Sequence, residues 1–417
     1  MDAKLLNEVA SQYGTPLYVY DGSVIIERVG RFRSAVAAQY EAVQICYAVK
    51  ANSNKAILKI IQREGCSCDV VSLGELDAAL YAGFDPSKLI YTSSSKSSFD
   101  LEAAVESGVV VNLDNLQELE IISELASRIE DNPRVSFRIN PDIDAKTHPK
   151  ISTALKSSKF GVHVKGGQAL ECYRRAAEDE NLVVSGVHVH IGSQVTDLTA
   201  FKELGEKIIS FVVELKEKLG IELEFIDVGG GLGIPYEGED MIGPEDYAKA
   251  IIPPIKNGLK KLGYSPELWF EPGRYLVGEA GVLLTKVNTV KTTSSATFLN
   301  VDSGFNTLIR PAMYEAHHRF ELVGKENRKK SKTYTVAGNL CESGDIFGVE
   351  RKLPHVERGD LLAILDAGAY GYSMASNYNS IPLPAEILIL DGKAHLIRKR
   401  QTIEDLYQWQ KEPPELE

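Results

Sequence analysis

A lysine stands at the end of an apolar run in "QICYAVKANSN": Ile45 to Val49 read as a short buried strand, and Lys50 follows directly. Its amine must turn out to solvent or be committed to something specific. Similar residues recur at the ends of later runs. Asp69 lies in "CDVVS", and His188 and His190 lie in "GVHVHIG" ahead of Ser193. The triplet Gly229, Gly230, Gly231 follows Asp227, and Glu271, Pro272, Gly273 and Arg274 form "EPGR". Each alone has a plain structural reading: a snorkelling lysine, a strand-end histidine, a tight glycine turn, a common Pro-Gly turn. Their shared place at the ends of successive runs needs another explanation.

Taken together, the types define one chemistry. A lysine amine makes a Schiff base with an aldehyde. Glycine N–H groups and a serine hydroxyl cradle a phosphate. A carboxylate can keep a pyridine nitrogen protonated, and an imidazole can stack on the ring. These are the needs of pyridoxal 5'-phosphate, for which a protein supplies orientation and electrostatics while the cofactor is the electron sink.

The elements that must position these residues alternate. The runs "QICYAV", "SCDVVS", "KLIYTS", "GVVVNL", "RVSFRIN", "VVSGVHVHIG", "LEFIDVGG" and "ELWFEPG" read as strands. Between them, segments such as "SFDLEAAVES", "LQELEIISELASRI" and "FKELGEKIISFVVELKEKLG" carry apolar residues at helical spacing. Eight strands alternating with helices predict an α/β chain whose parallel strands close into a (β/α)8 TIM barrel, with its site at their C-terminal ends. An open doubly wound sheet is the alternative, but the glycine triplet lacks the G-x-G-x-x-G spacing, since Ile234 stands in place of the third glycine. After Tyr275 the helices thin out. "GVLLTKVNTVKTT", "TFLNVDSGF", "KTYTVAGNL", "LLAILDAGAYG" and "AEILILDGKAHLIRKR" predict a C-terminal β-rich domain. The expected division is a segment 1–25 joining that β domain through "TPLYVYD", a barrel over 26–275 and the β-rich domain over 276–417.

Composition excludes other classes. With 58 acidic against 46 basic side chains the net charge is -12, which does not suit a nucleic-acid binder. The basic cluster "NRKKSK" reads as a solvated loop. No run has the apolar length of a membrane span, and "MDAKLLNEVASQYGTP" lacks the core of a signal peptide. The five scattered cysteines do not pair for zinc, so no metal is expected, and a cytoplasmic location with free thiols fits.

Across nearly the whole chain the sequence resembles the diaminopimelate decarboxylases, fold type III (alanine racemase-like) enzymes related to ornithine and arginine decarboxylases. The resemblance rests on "YAVKAN", "CDVVSLGEL", "THPKISTALKSSKFGV", "HVHIGSQ", "DVGGGLG", "EPGR", "IRPAMYEAHH", "CESGD" and "DAGAYGYSMASNYN" in that order. It implies that Lys50 is the Schiff-base lysine, that His190 stacks on the cofactor ring and that Glu271 pairs with the ring nitrogen. Ser193, Gly229 to Gly231, Gly273 and Tyr370 are implied around the phosphate, with Pro272 in the same loop, Arg274 close by, and Asp69 near the Schiff base.

On the substrate side, the resemblance implies that Arg310 and Tyr314, with Arg274 and Tyr370, hold the distal end of a diamino acid. Cys341 is implied as the proton donor beside Glu342, both reaching the site from the other subunit of a homodimer. An arginine fork suits a carboxylate, which favours diaminopimelate over ornithine. The implied activity is decarboxylation of meso-2,6-diaminopimelate to L-lysine and CO2, the last step of lysine biosynthesis. The rival readings are a decarboxylase of another diamino acid and a non-catalytic cofactor-binding homologue. The chain departs from the family pattern at Leu73 and Ala154, where glycine is common. It departs again at Ile381 and Leu383, where "SIPLPAE" replaces an arginine-rich segment.

Overall fold

The computed structural model describes residues 1–416 except 130–131, 146–147, 149, 151–152, 155–157 and 239–240. The chain divides into two compact units. One comprises Ile25–Ile234 and Asp240–Leu276; the other comprises Met1–Val24, Pro235–Glu239 and Val277–Glu417. The first strand, β1 (Leu17–Asp21), belongs to the second unit.

In the first unit each of the eight expected runs forms a parallel strand: β2 (Val43–Ala48), β3 (Ser67–Val70), β4 (Ile90–Thr92) and β5 (Val110–Leu113), then β6 (Arg134–Asn140), β8 (Val183–His188), β9 (Phe225–Asp227) and β10 (Glu267–Phe270). A two-residue strand that the sequence does not announce, β7 (Val162–His163), pairs with β6 beside the barrel. Pairing of β5 with β6 and of β10 with β2 closes the eight into a barrel. The expected (β/α)8 architecture is therefore present. β3, β4 and β5 are buried on both faces, which is why they read as continuous apolar runs with no alternation.

The helices start where the sequence supplies caps. Asn54 accepts from the Ala56 N–H to open Lys55–Arg63, and Ser97 and Asp100 close a capping box at Ser98–Glu106. Inside the barrel, Cys46, Ile90, Val110, Phe225 and Trp269 form one buried cluster, in which the Phe225 and Trp269 rings stack with centroids 3.9 Å apart.

The second unit is mostly sheet, again as expected. β1 lies between β11 (Gly281–Thr292), its antiparallel partner, and β17 (Ala385–Leu390), its parallel one. β12 (Thr297–Val301), β14 (Lys332–Ala337) and β15 (Ile346–Leu353) extend the sheet beyond β11, and β18 (Lys393–Arg398) extends it beyond β17. β16 (Leu361–Ile364) pairs with β11 and with β13 (Phe320–Leu322). The sequence does not announce β13 or β15: one is three residues long, and the other carries Gly348, Glu350 and Arg351 in a strand with two exposed stretches. Leu17, Val19, Val282, Leu284, Ile387 and Ile389 pack into one core with Leu6 and Val9 of the first helix.

Gly186 on β8 makes room for the Phe225 ring, since a Cβ there would meet that ring at 2.2 Å. Gly186→Ala should therefore lower stability by about 1–3 kcal/mol, the usual cost of overpacking a tight core. Thermal unfolding of the variant beside the wild type checks this, with an unchanged melting temperature as the contrary result.

Candidate active site

The C-terminal ends of the barrel strands bring charged and polar side chains to a cavity of about 310 Å³ lined by Lys50, Arg138, His188, His190 and Glu271, with Val71, Thr92, Ser93, Ser94, Thr153 and Phe160. Lys50 reaches it because β2 ends in a single 3₁₀ turn, Val49–Ala51, braced by the Tyr47 hydroxyl donating to the Asn52 carbonyl at 3.0 Å. Its ammonium donates to the Asp69 carboxylate at 2.7 Å. Asp69 is fully buried: burial and Glu271 push its carboxyl up, while Lys50 pulls it down. Four residues past Val71, Glu75 accepts the Val71 N–H at 2.9 Å, and burial pushes its carboxyl up to about 7.

Deeper, His188, Asp227 and Glu271 form a buried group whose possible ligand atoms all lie within 4.8 Å of one another. His188 Nε2 is 3.2 Å from a Glu271 oxygen without hydrogen-bond alignment. Burial works to raise the Glu271 carboxyl, but His188 and Lys50 outweigh it and hold it at about 2, so it stays ionised. Asp227 takes the opposite course. Burial and the Glu271 charge push its carboxyl well up from its ordinary value, and its Oδ1 accepts the Gly229 N–H at 2.8 Å. These donor types could hold a metal ion.

His190 is kept neutral by burial and by the positive charge of Arg138 and Lys50. Its Nδ1 accepts the Gly230 N–H at 3.2 Å, which leaves the ring proton on Nε2, and the Thr153 hydroxyl donates to its carbonyl at 2.9 Å. Two of the three glycine N–H groups are thus engaged with Asp227 and His190, so the run braces the imidazole as much as it could frame an anion. Glycine is required here by close approach: a Cβ on Gly230 would sit 2.1 Å from the Glu271 carbonyl oxygen, and Gly229 has φ +69°. Arg274 donates to the Ser193 hydroxyl at 2.9 Å, which joins two of the expected anion-binding residues.

Arg138 carries a charge that sequence reasoning missed. It is buried, its guanidinium lies 4.4 Å from the Phe160 ring centroid, and burial lowers its basicity. Its signal was legible, a charged residue near the C-terminal end of the run "RVSFRIN", as was that of His188. The segment around "ISTALKSS" lies partly outside the described residues; Ala154 within it is buried.

Five further candidates belong to the other unit. Arg310 opens the short helix Arg310–Tyr314 and is buried, with Tyr314 half-buried at its end. Cys341 is exposed, which rules out a role as a small core residue, and it accepts from the Asn379 amide at 3.2 Å. The Tyr378 hydroxyl donates to Glu342 beside it. Tyr370 has a left-handed backbone, φ 56°.

The barrel site fits pyridoxal phosphate. An amine, a neutral imidazole and an ionised carboxylate face one cavity, and buried atoms Asp69 Oδ1, Arg138 Nη2 and Glu271 Oε1 make no aligned hydrogen bond with the described residues. Residues 23–278 match the family model described as the pyridoxal-dependent decarboxylase, pyridoxal binding domain. The fold and site therefore define a pyridoxal-dependent decarboxylase. The chain is 42% identical over 408 residues to the diaminopimelate decarboxylase of Archaeoglobus fulgidus, covering 98% of this chain and 96% of that one. It is 39% identical to the solved diaminopimelate decarboxylase from Helicobacter pylori complexed with L-lysine, with a TM-score of 0.90 over 97% and 98% of the two chains. The lysine/ornithine decarboxylase from Vibrio vulnificus, 22% identical over 94% and 98% of the chains, shares the fold at a TM-score of 0.80. The chain belongs to the diaminopimelate decarboxylase family.

Glu75 yields a pH-dependent expectation. Folding raises its pKa to about 7, so the folded state binds the proton more tightly and stability falls as pH rises through the window from about 4.5 to about 7. Glu75→Gln keeps an acceptor for the Val71 N–H and removes this loss. Relative to the wild type it should gain roughly 2–3 kcal/mol between pH 4.5 and pH 8. Denaturant unfolding of both proteins at the two pH values measures the difference, and parallel pH profiles would contradict it.

Proposed function

We propose that the protein decarboxylates meso-2,6-diaminopimelate to L-lysine and CO2 as a cytoplasmic homodimer, closing lysine biosynthesis. The observation that carries this reading is a lysine amine facing a cavity beside a neutral His190 and an ionised Glu271, in a chain of this family. Bound pyridoxal phosphate supplies the sink for the electron pair left when CO2 departs. Lys50 would hold the cofactor by its amine, and Asp69 sets the direction of the ammonium. His190, fixed by Gly230, presents an uncharged ring face. Glu271, held at about 2, stays ionised and would keep a proton on the cofactor's ring nitrogen. Arg274, Ser193, the glycine run, Gly273 and Tyr370 would hold the phosphate.

Arg310 and Tyr314 hold the substrate's distal carboxylate, for which a planar guanidinium offers two donors at once. Cys341 of a second copy, with Glu342 beside it, delivers the proton that replaces CO2. The exposure of Cys341 supports this role, because a thiol that must reach another subunit's site cannot be buried in its own core. No helix among the described residues is long and apolar enough to cross a membrane.

The purified protein should show a cofactor absorbance near the visible edge that Lys50→Ala abolishes, and should release CO2 from meso-diaminopimelate but not from ornithine, arginine or lysine. Release from one of the others would move the substrate, and absence of the band after adding cofactor would refute the reading. Cys341→Ala should lower kcat by about 10²–10⁴, the range for loss of a positioned proton donor. If sites are shared, mixing inactive Lys50→Ala and Cys341→Ala proteins should restore roughly a quarter of wild-type activity, since half the re-formed dimers carry one intact site. Recovery of nothing would place Cys341 in its own subunit's site.

A further inference from the structure

Beside the cavity the barrel holds an ion pair that the mechanism leaves unused. The Lys96 side chain has no exposed surface and that of Glu118 only 6%, and their charges meet at 2.8 Å. Each residue also holds backbone. Lys96 Nζ donates to the Ser93 carbonyl at 2.6 Å. Glu118 Oε2 accepts the Asp114 N–H at 2.8 Å, and its Oε1 accepts the Lys96 N–H at 3.3 Å. Because β4 and β5 are parallel neighbours, the loops that follow them lie side by side, and the pair joins one to the other. Ser93 and Ser94 of the first loop line the cavity. Asp114 of the second carries the contact onward: its Oδ1 accepts the Gly161 N–H at 3.0 Å. Gly161 packs on β6, where a Cβ would meet the Arg138 carbonyl oxygen at 2.8 Å. Arg138 lines the cavity, with Nη2 buried and without a hydrogen bond among the described residues. The Asp114 carboxylate is the charge that acts on it most, ahead of Glu271 and Asp69.

We infer that Lys96 and Glu118 are positioning residues for the reaction: their ion pair locks two neighbouring loops so that Ser93, Ser94 and Arg138 present a fixed wall to the cofactor. This rests on the reading that the cavity holds pyridoxal phosphate. A buried ion pair is a poor means of stabilising a fold, since desolvation offsets most of the attraction and apolar side chains of similar volume commonly serve as well. Apolar side chains could not hold the Ser93 carbonyl or the Lys96 and Asp114 N–H groups, which the pair ties to defined places. Direction is therefore what the pair supplies. Arg138 takes its bearing from the Phe160 ring, 4.4 Å from its guanidinium, and from Asp114. Asp114 in turn is pinned at its N–H by Glu118 and at its carboxylate by Gly161. A shift of about 1 Å passed to a reacting centre from a distant residue is enough to slow a reaction about a hundredfold, so a rigid wall matters to the rate.

The test uses the full chain with pyridoxal phosphate and the variants Lys96→Met, Glu118→Gln and the two combined. Either single change leaves an unpaired charge in the interior and should lower the melting temperature measured at saturating cofactor. The double variant strands no charge and should regain most of that loss. Its cavity should not recover, because methionine cannot hold the Ser93 carbonyl. Titration of the visible band with pyridoxal phosphate should show all three variants binding it about tenfold more weakly than wild type. At saturating cofactor, kcat on diaminopimelate should stay about tenfold down in the double variant. Recovery of affinity and kcat in step with the melting temperature would make the pair merely structural and overturn the proposal. Wild-type affinity and kcat in every variant would overturn it as well. If none of the three folds, or the double variant regains no stability, Asp114→Asn decides. It keeps the acceptor for Gly161 and the N–H for Glu118, removes the charge acting on Arg138, and should weaken cofactor binding by about threefold. Unchanged binding in that variant overturns the proposal. A wild-type protein that takes up no cofactor overturns the reading of the cavity, and the proposal with it.

Discussion

An ionised carboxylate in the interior of a barrel is costly, because water no longer solvates it and the surrounding strands cannot. Glu271 is held in that state, and the arrangement around it follows from the need. His188 lies against it, Lys50 adds to the field, and burial together with the Glu271 charge pushes the nearby Asp227 carboxyl up. Replacing any of these would change how the remaining charge is shared. The same group also explains why the glycine run must be glycine: the Gly229 carbonyl accepts the Glu271 N–H at 2.9 Å, and Gly230 packs directly on the Glu271 carbonyl.

Buried acids of the β-rich unit are seated by pairing. Asp366 is paired by Arg319 through two bonds at 3.0 and 2.9 Å, and Glu386 by Arg398 and the Tyr20 hydroxyl; these charges are cancelled and serve the architecture of the sheet.

The expected barrel was legible because its strands are buried on both faces, so "SCDVVS", "KLIYTS" and "GVVVNL" appear as unbroken apolar runs at regular intervals. The β-rich unit was legible only in outline. β13 is too short to show a pattern, and β15 interrupts its apolar residues with charge. The excursion Pro235–Glu239 left no trace in the sequence, since nothing local says that five residues between two barrel segments belong to the other unit.

Residue types and order by themselves determined the chemistry: a lysine, two acids, a histidine and a glycine loop at strand ends fit one cofactor, because few side chains can do each task. Tertiary structure alone decided the charge states and the aim. That the Asp227 carboxyl is pushed up while Glu271 is held low, and that His190 carries its proton on Nε2, depend on through-space distances of a few ångströms between residues far apart in the chain. Electrostatic interaction depends on separation and burial, and neither is written in the local sequence.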